Sequence, residues 1–205
     1  MNTIAGIFGC GLLTLAVAAT GVRLQRLSFR VRIALMLAAG VAVLVPFGEL
    51  SVVGYVRGAT GDVSITTLVL AGAACVAQLT GRALIGPRER RALLWLLAAG
   101  AVFLYPFALG WSQFDPYALG FGSVGFVTVL LSLTLAAWYA RLNLIVLVVI
   151  AAVLAYLAGA CESRNLWDYL IDPLVSVYAL TWLAAGVGRR PWGDIKLTIR
   201  RAVGR

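Results

Sequence analysis

The sequence predicts an all-α protein, a polytopic helical membrane bundle, and three observations carry that prediction. The 205 residues are 62% hydrophobic and 12% charged, against about 45–50% and about 25% in ordinary soluble domains. The apolar residues fall into seven long runs. The basic residues crowd onto alternate connections between those runs. A mean hydropathy of +0.97 excludes a soluble enzyme, a disordered tail and a disulfide-stapled secreted domain.

A hydrocarbon core about 30 Å thick needs about 20 apolar residues per helix. Runs at about 3–22, 33–50, 63–81, 92–110, 117–139, 142–160 and 169–187 meet that need. They are continuously apolar, without the alternation of a membrane β-strand, so they read as helices. The first run has no basic residue before it. Arg23 comes only after it, which favours a retained helix over a cleaved signal. Residues 1–190 form one transmembrane domain in this reading, and 191–205 a cytoplasmic tail.

Orientation follows from the arginines. Arg23, Arg26, Arg30 and Arg32 follow the first run; Arg82, Arg88, Arg90 and Arg91 follow the third; Arg141 follows the fifth. The other side holds only Arg57 and Arg164. Basic residues mark the cytoplasmic side, so the N-terminus is expected outside and the C-terminus inside. Six of the 8 acids sort to the outer side, and only Glu89 and Asp194 to the inner. The net charge of +9 is thus a topology signal, and no nucleic-acid partner is expected.

An internal repeat supports a leading helix followed by three two-helix hairpins. Residues 37–47 (LAAGVAVLVPF) return as 97–107 (LAAGAVFLYPF), with seven of eleven positions identical. Both copies carry Pro-Phe at one depth. Pro46 and Pro106 each remove an amide donor, which ends or kinks a helix. Each outward loop closes on an acid, Asp62, Asp115 or Asp172, before the returning helix; two of these read Asp-Pro. Asp followed by Pro suits a helix start, where the carboxylate caps free amides.

The chemistry available is limited. There is no histidine, which removes imidazole metal sites and Ser-His or Cys-His nucleophile pairs. Cys10, Cys75 and Cys161 lack C-x-x-C spacing and read as small buried residues. The span centres carry no acid or base, unlike ion-coupled transporters. No cofactor and no metal site is expected. The candidate external polar site comprises Glu49, Arg57, Asp62, Asp115, Glu162, Arg164, Asn165, Asp168 and Asp172. Asp168 and Asp172 stand four apart, the spacing of a cation-binding pair on one helix face, but Pro173 disfavours helix at Asp172. The tail places Trp192 on an apolar face and Lys196, Arg200 and Arg201 largely elsewhere. That pattern suits contact with anionic lipid at the inner leaflet, or with a membrane-protein partner.

Three functions fit these features. The first is a non-catalytic accessory or subunit of a cell-envelope assembly in the inner membrane. The second is a small transporter or channel built from hairpin repeats. The third is an enzyme acting on a lipid-linked substrate through the external carboxylates.

Overall fold

A computed structural model describes residues 3–22, 24–111 and 113–188. The tail residues Trp192, Lys196, Arg200 and Arg201 lie outside the described residues, as does Arg23. The fold is an all-helical bundle. Its long helices are α1 (Thr3–Thr20), α2 (Phe29–Ala42), α4 (Ile65–Thr80), α5 (Pro87–Ala108), α6 (Val124–Tyr139), α7 (Asn143–Leu157) and α9 (Pro173–Gly188). Two short helices, α3 (Val52–Thr60) and α8 (Leu166–Leu170), stand in the connections before α4 and α9.

Each boundary has a local cause. Ser51 opens α3 by accepting the Gly54 amide at 3.1 Å. Ser64 opens α4 by accepting the Thr67 amide at 3.2 Å. Pro87 starts α5, where its missing N–H costs nothing. Gly81 ends α4 with φ +74°, the left-handed conformation that glycine adopts without penalty.

The second and fifth runs differ from their expected extents. The second run was expected as helix to residue 50, but α2 stops at Ala42 and the chain forms a hairpin, β1 (Pro46–Phe47) with β2 (Leu50–Ser51). Pro46 cannot donate to a continuing helix, and Gly48 supplies the positive φ, +78°, that the two-residue turn needs. In the second copy of the repeat, α5 passes through Pro106 and continues to Ala108. The fifth run breaks at Phe121–Ser123. A 3₁₀ turn (Tyr117–Gly120) precedes α6.

The seventh run, expected at 169–187, is also interrupted. Ile171 is extended, at φ −140° and ψ 135°, and Asp172, directly before Pro173, is disfavoured from the helical conformation. The chain therefore leaves α8 and restarts as α9 at Pro173. Asp168 and Asp172 do not share a helix.

α1 packs against α4, α5 against α9, and α6 against α7. The main core joins α5, α7, α8 and α9 through residues such as Leu94, Ala152, Tyr169 and Ala179. A second cluster ties α1, α2 and α4 through Ala16, Met36, Ala71 and Cys75. The flanks are apolar and exposed: Phe8, Leu37, Val102, Val129, Leu154 and Val177 all face outward. Among the described residues, Pro87–Ala108 is one helix long and apolar enough to cross a membrane; the other apolar helices are shorter.

Polar side chains along the helices are mostly bonded to their own backbone. Thr14, Thr128, Ser132, Thr134 and Thr181 each donate to the carbonyl four residues earlier. This removes their donors from circulation without opening a polar path.

Candidate functional site

The acids distant in sequence converge at one end of the bundle. The last turn of α3 presents Arg57, and Gly61, with φ +71°, turns the chain to bring Asp62 back onto it. Arg57 Nε lies 3.1 Å from Asp62 Oδ1, and its Nη2 lies 2.8 Å from Glu162 Oε1. The Glu162 amide donates to Asp62 Oδ2 at 3.1 Å. Three elements are thereby joined through one guanidinium, whose pKa the Asp62 hydrogen bond raises above the usual value. The pair sits against Gly6 of α1, where a Cβ would fall 2.1 Å from Asp62 Oδ1. Glycine at this position is a condition of the close approach.

Beneath this layer lies a buried polar knot. Asp172 accepts three hydrogen bonds: from the Val175 amide at 2.8 Å, the Ser64 amide at 2.8 Å and the Thr67 hydroxyl at 2.6 Å. Thr66 donates to the Leu170 carbonyl, and Ser176 to the Asp172 carbonyl. Asp172, Ser64, Thr66, Thr67 and Ser176 are all buried. One carboxylate thus caps α9 and receives the amide at the start of α4. Both helix starts present their positive ends to it, and each unpaired group here would cost about 1–3 kcal/mol.

A third set fixes α8. Asn165 caps that helix by accepting the Trp167 amide at 3.0 Å, and its Nδ2 donates to the Tyr117 carbonyl at 2.8 Å. Asp168 accepts the Tyr117 hydroxyl at 2.8 Å and the Ser163 hydroxyl at 2.5 Å. Tyr169 is fully buried; its hydroxyl accepts the Cys161 amide and donates toward the Ser163 carbonyl at 3.1 Å. Gly120 faces Asn165 so closely that a Cβ would stand 1.7 Å from Oδ1.

The remaining site residues stand apart. Asp115 is exposed and accepts the Tyr117 and Ala118 amides, capping the 3₁₀ turn. Glu49 sits in the hairpin turn and Arg164 in the loop before α8; both are exposed, and neither forms an ion pair among the described residues. Asp62, Glu162, Asp168 and Asp172 line a cavity of about 390 Å³ with Tyr105 and Cys161. Burial, and then the charges of Asp62 and Asp168, push the Cys161 thiol up to about 11. It is a poor nucleophile at neutral pH. Among the described residues no group of three His, Cys, Asp or Glu is arranged to hold a metal ion.

Ser64, Thr66, Thr67, Ser163, Ser176 and Tyr117 complete the site and were not anticipated from the sequence as part of it. One signal was present: Ser64 and Thr67 form an S-x-x-T helix start ahead of an apolar run. Its partnership with Asp172 spans 105 to 108 residues and has no local trace.

The chain matches no family model, and neither the curated proteins nor the solved structures compared with it offer a match. Its class therefore rests on fold and site: an all-helical bundle with an apolar surface and a self-bonded acidic end.

Proposed function

We propose that the chain is a multi-pass protein of a cell inner membrane that serves as a non-catalytic accessory or subunit of a cell-envelope assembly. In this reading the seven long helices cross the bilayer, with the N-terminus outside. The apolar flanks support it, because a water-facing surface with so many large apolar side chains would associate. The separation of charge supports it too. Arg32 and Arg88 bond to the Gln78 and Ala140 carbonyls at one end of the bundle, while the acids gather at the other.

Helix length has to be reconciled with this reading. Sixteen residues cover about 24 Å, less than a bilayer core of about 30 Å. In this reading the connections that carry α3 and α8, before α4 and α9, add to the depth spanned. Irregular backbone is tolerated at membrane depth where protein buries it, and the knot around Asp172 buries it here.

The single observation that carries the non-catalytic reading is the state of the acids. Asp62, Asp115, Glu162, Asp168 and Asp172 each accept a bond from this chain's own groups. The hydroxyls that bond to them, Ser163, Tyr117 and Thr67, belong to the same network, and the arrangement serves to join helices. The test is cross-linking in native membranes followed by mild-detergent purification. One recurrent membrane partner at stoichiometric yield is expected. A chain recovered alone, as a monomer with no cross-linked partner, would overturn the reading.

A further inference from the structure

A second, larger cavity lies between the helix pairs α1/α4 and α5/α9. Its volume is about 600 Å³. Small side chains on α1 and α4, among them Ala16, Ala71, Ala74 and Ala77, hollow out one wall; Leu94 and Val175 form the other. The lining is mostly apolar, and its one charged member among the described residues, Arg90, stands at the arginine-rich end. Arg90 reaches over the cleft, its guanidinium 6.0 Å from the Tyr178 ring centroid and hydrogen-bonded to the Tyr178 hydroxyl.

Among the described residues Arg90 has no carboxylate partner. Glu89, the one acid on that end among the described residues, is bonded to the Leu144 amide and caps α7. Among the described residues the tyrosine bond uses one of the five guanidinium donors. A planar guanidinium matches a phosphate oxygen pair. The site is therefore a long apolar slot with an anion receptor at one end.

The chemistry of the lining decides between occupants. An apolar wall of alanines beside one guanidinium matches an acyl chain joined to a phosphate, whereas an apolar partner helix would leave Arg90 without an anion. Resting on the membrane reading above, we infer that the cleft is a binding site for one anionic phospholipid. One acyl chain lies along the alanine wall, and the headgroup phosphate is held by Arg90.

The test is native mass spectrometry of the full chain, purified from micelles containing equal dioleoyl-phosphatidylglycerol and dioleoyl-phosphatidylcholine. The expected result is retention of one phosphatidylglycerol. Arg90→Gln should lower its retention by about tenfold, as the loss of a charge-assisted bond implies. Ala74→Trp, which fills the slot without changing charge, should do the same. Val17→Trp tests the same slot from an exposed position on its rim, where folding is not at stake. Arg91→Gln, exposed and away from the cleft, should leave retention unchanged. Equal retention of phosphatidylcholine, or retention insensitive to both tryptophan variants, would overturn the inference. Carbonate extraction of the same membranes reports separately on membrane insertion.

Discussion

The backbone amide of Ser64 donates to the carboxylate of Asp172 at 2.8 Å, across 108 residues of sequence. The bond joins the first turn of α4 to the first turn of α9. With the Thr67 hydroxyl and the Val175 amide it engages both Asp172 oxygens. Replacing Asp172 with alanine leaves three buried donors unpaired. At about 1 kcal/mol or more for each, Asp172→Ala should lose about 3 kcal/mol of stability. Asp172→Asn, which keeps one acceptor oxygen, should lose less. Unfolding in mixed detergent micelles measures both. Equal stability of Asp172→Ala and the parent chain would show that the knot is not a structural tie.

Gly120 makes a sharper claim because it involves a single missing atom. A Cβ there would lie 1.7 Å from Asn165 Oδ1 and 2.8 Å from Trp167 Cδ1. Gly120→Ala must expel Asn165 from its position capping α8. The expected cost is about 1–3 kcal/mol, the range for forced overpacking. In an Asn165→Ala background the same change should cost markedly less, because the nearest clashing atoms are gone. Additive effects in this double-mutant cycle would contradict the contact.

The positions of the seven long helices were legible in the sequence because apolar runs report burial from water whatever they pack against. Their ends were less so. Residue 50 was expected inside the second run, yet the chain unwinds after Ala42, since Pro46 and Gly48 act through backbone geometry that hydropathy ignores. α3 and α8 have nine and five residues, shorter than the window of about 11–18 residues in which periodicity identifies a helix. Among the site residues, Arg57, Asp62, Glu162, Asn165, Asp168 and Asp172 were recognisable as a polar rim, but their partners were not. Ser64, Thr66 and Thr67 look like ordinary boundary residues until a distant carboxylate is brought to them. The repeat also hid a difference. Identical Pro-Phe pairs end in a hairpin in one copy and in a continuing helix in the other.

The two ion pairs of Arg57 should differ in weight. Asp62 is nearly buried, at 11% side-chain exposure, whereas Glu162 is 54% exposed. Solvent screens the outer pair, so Glu162→Gln should change stability by no more than about 0.5 kcal/mol. Asp62→Asn removes the charge paired with Arg57 and keeps one of the two oxygens that hold Arg57 and the Glu162 amide, and should cost more at any salt concentration. Unfolding at low and high ionic strength separates the two. A larger effect from Glu162 would contradict the geometry.

Thiol labelling tests both topology and the Cys161 environment. Cys10 and Cys75 are buried, so Cys161 is the native thiol with partial access. With its pKa pushed up to about 11, it stays protonated at neutral pH, and the thiolate is the reactive form. A membrane-impermeant maleimide applied outside intact cells should therefore label it slowly at pH 7. The rate should climb as pH rises toward 11. Cysteines introduced by Glu49→Cys and Arg164→Cys stand exposed at the same end and should label rapidly at pH 7 from outside. If those two label only after the inner face is opened, the orientation is reversed. If Cys161 labels as fast as they do at neutral pH, its burial against Asp62 and Asp168 is not present in the membrane.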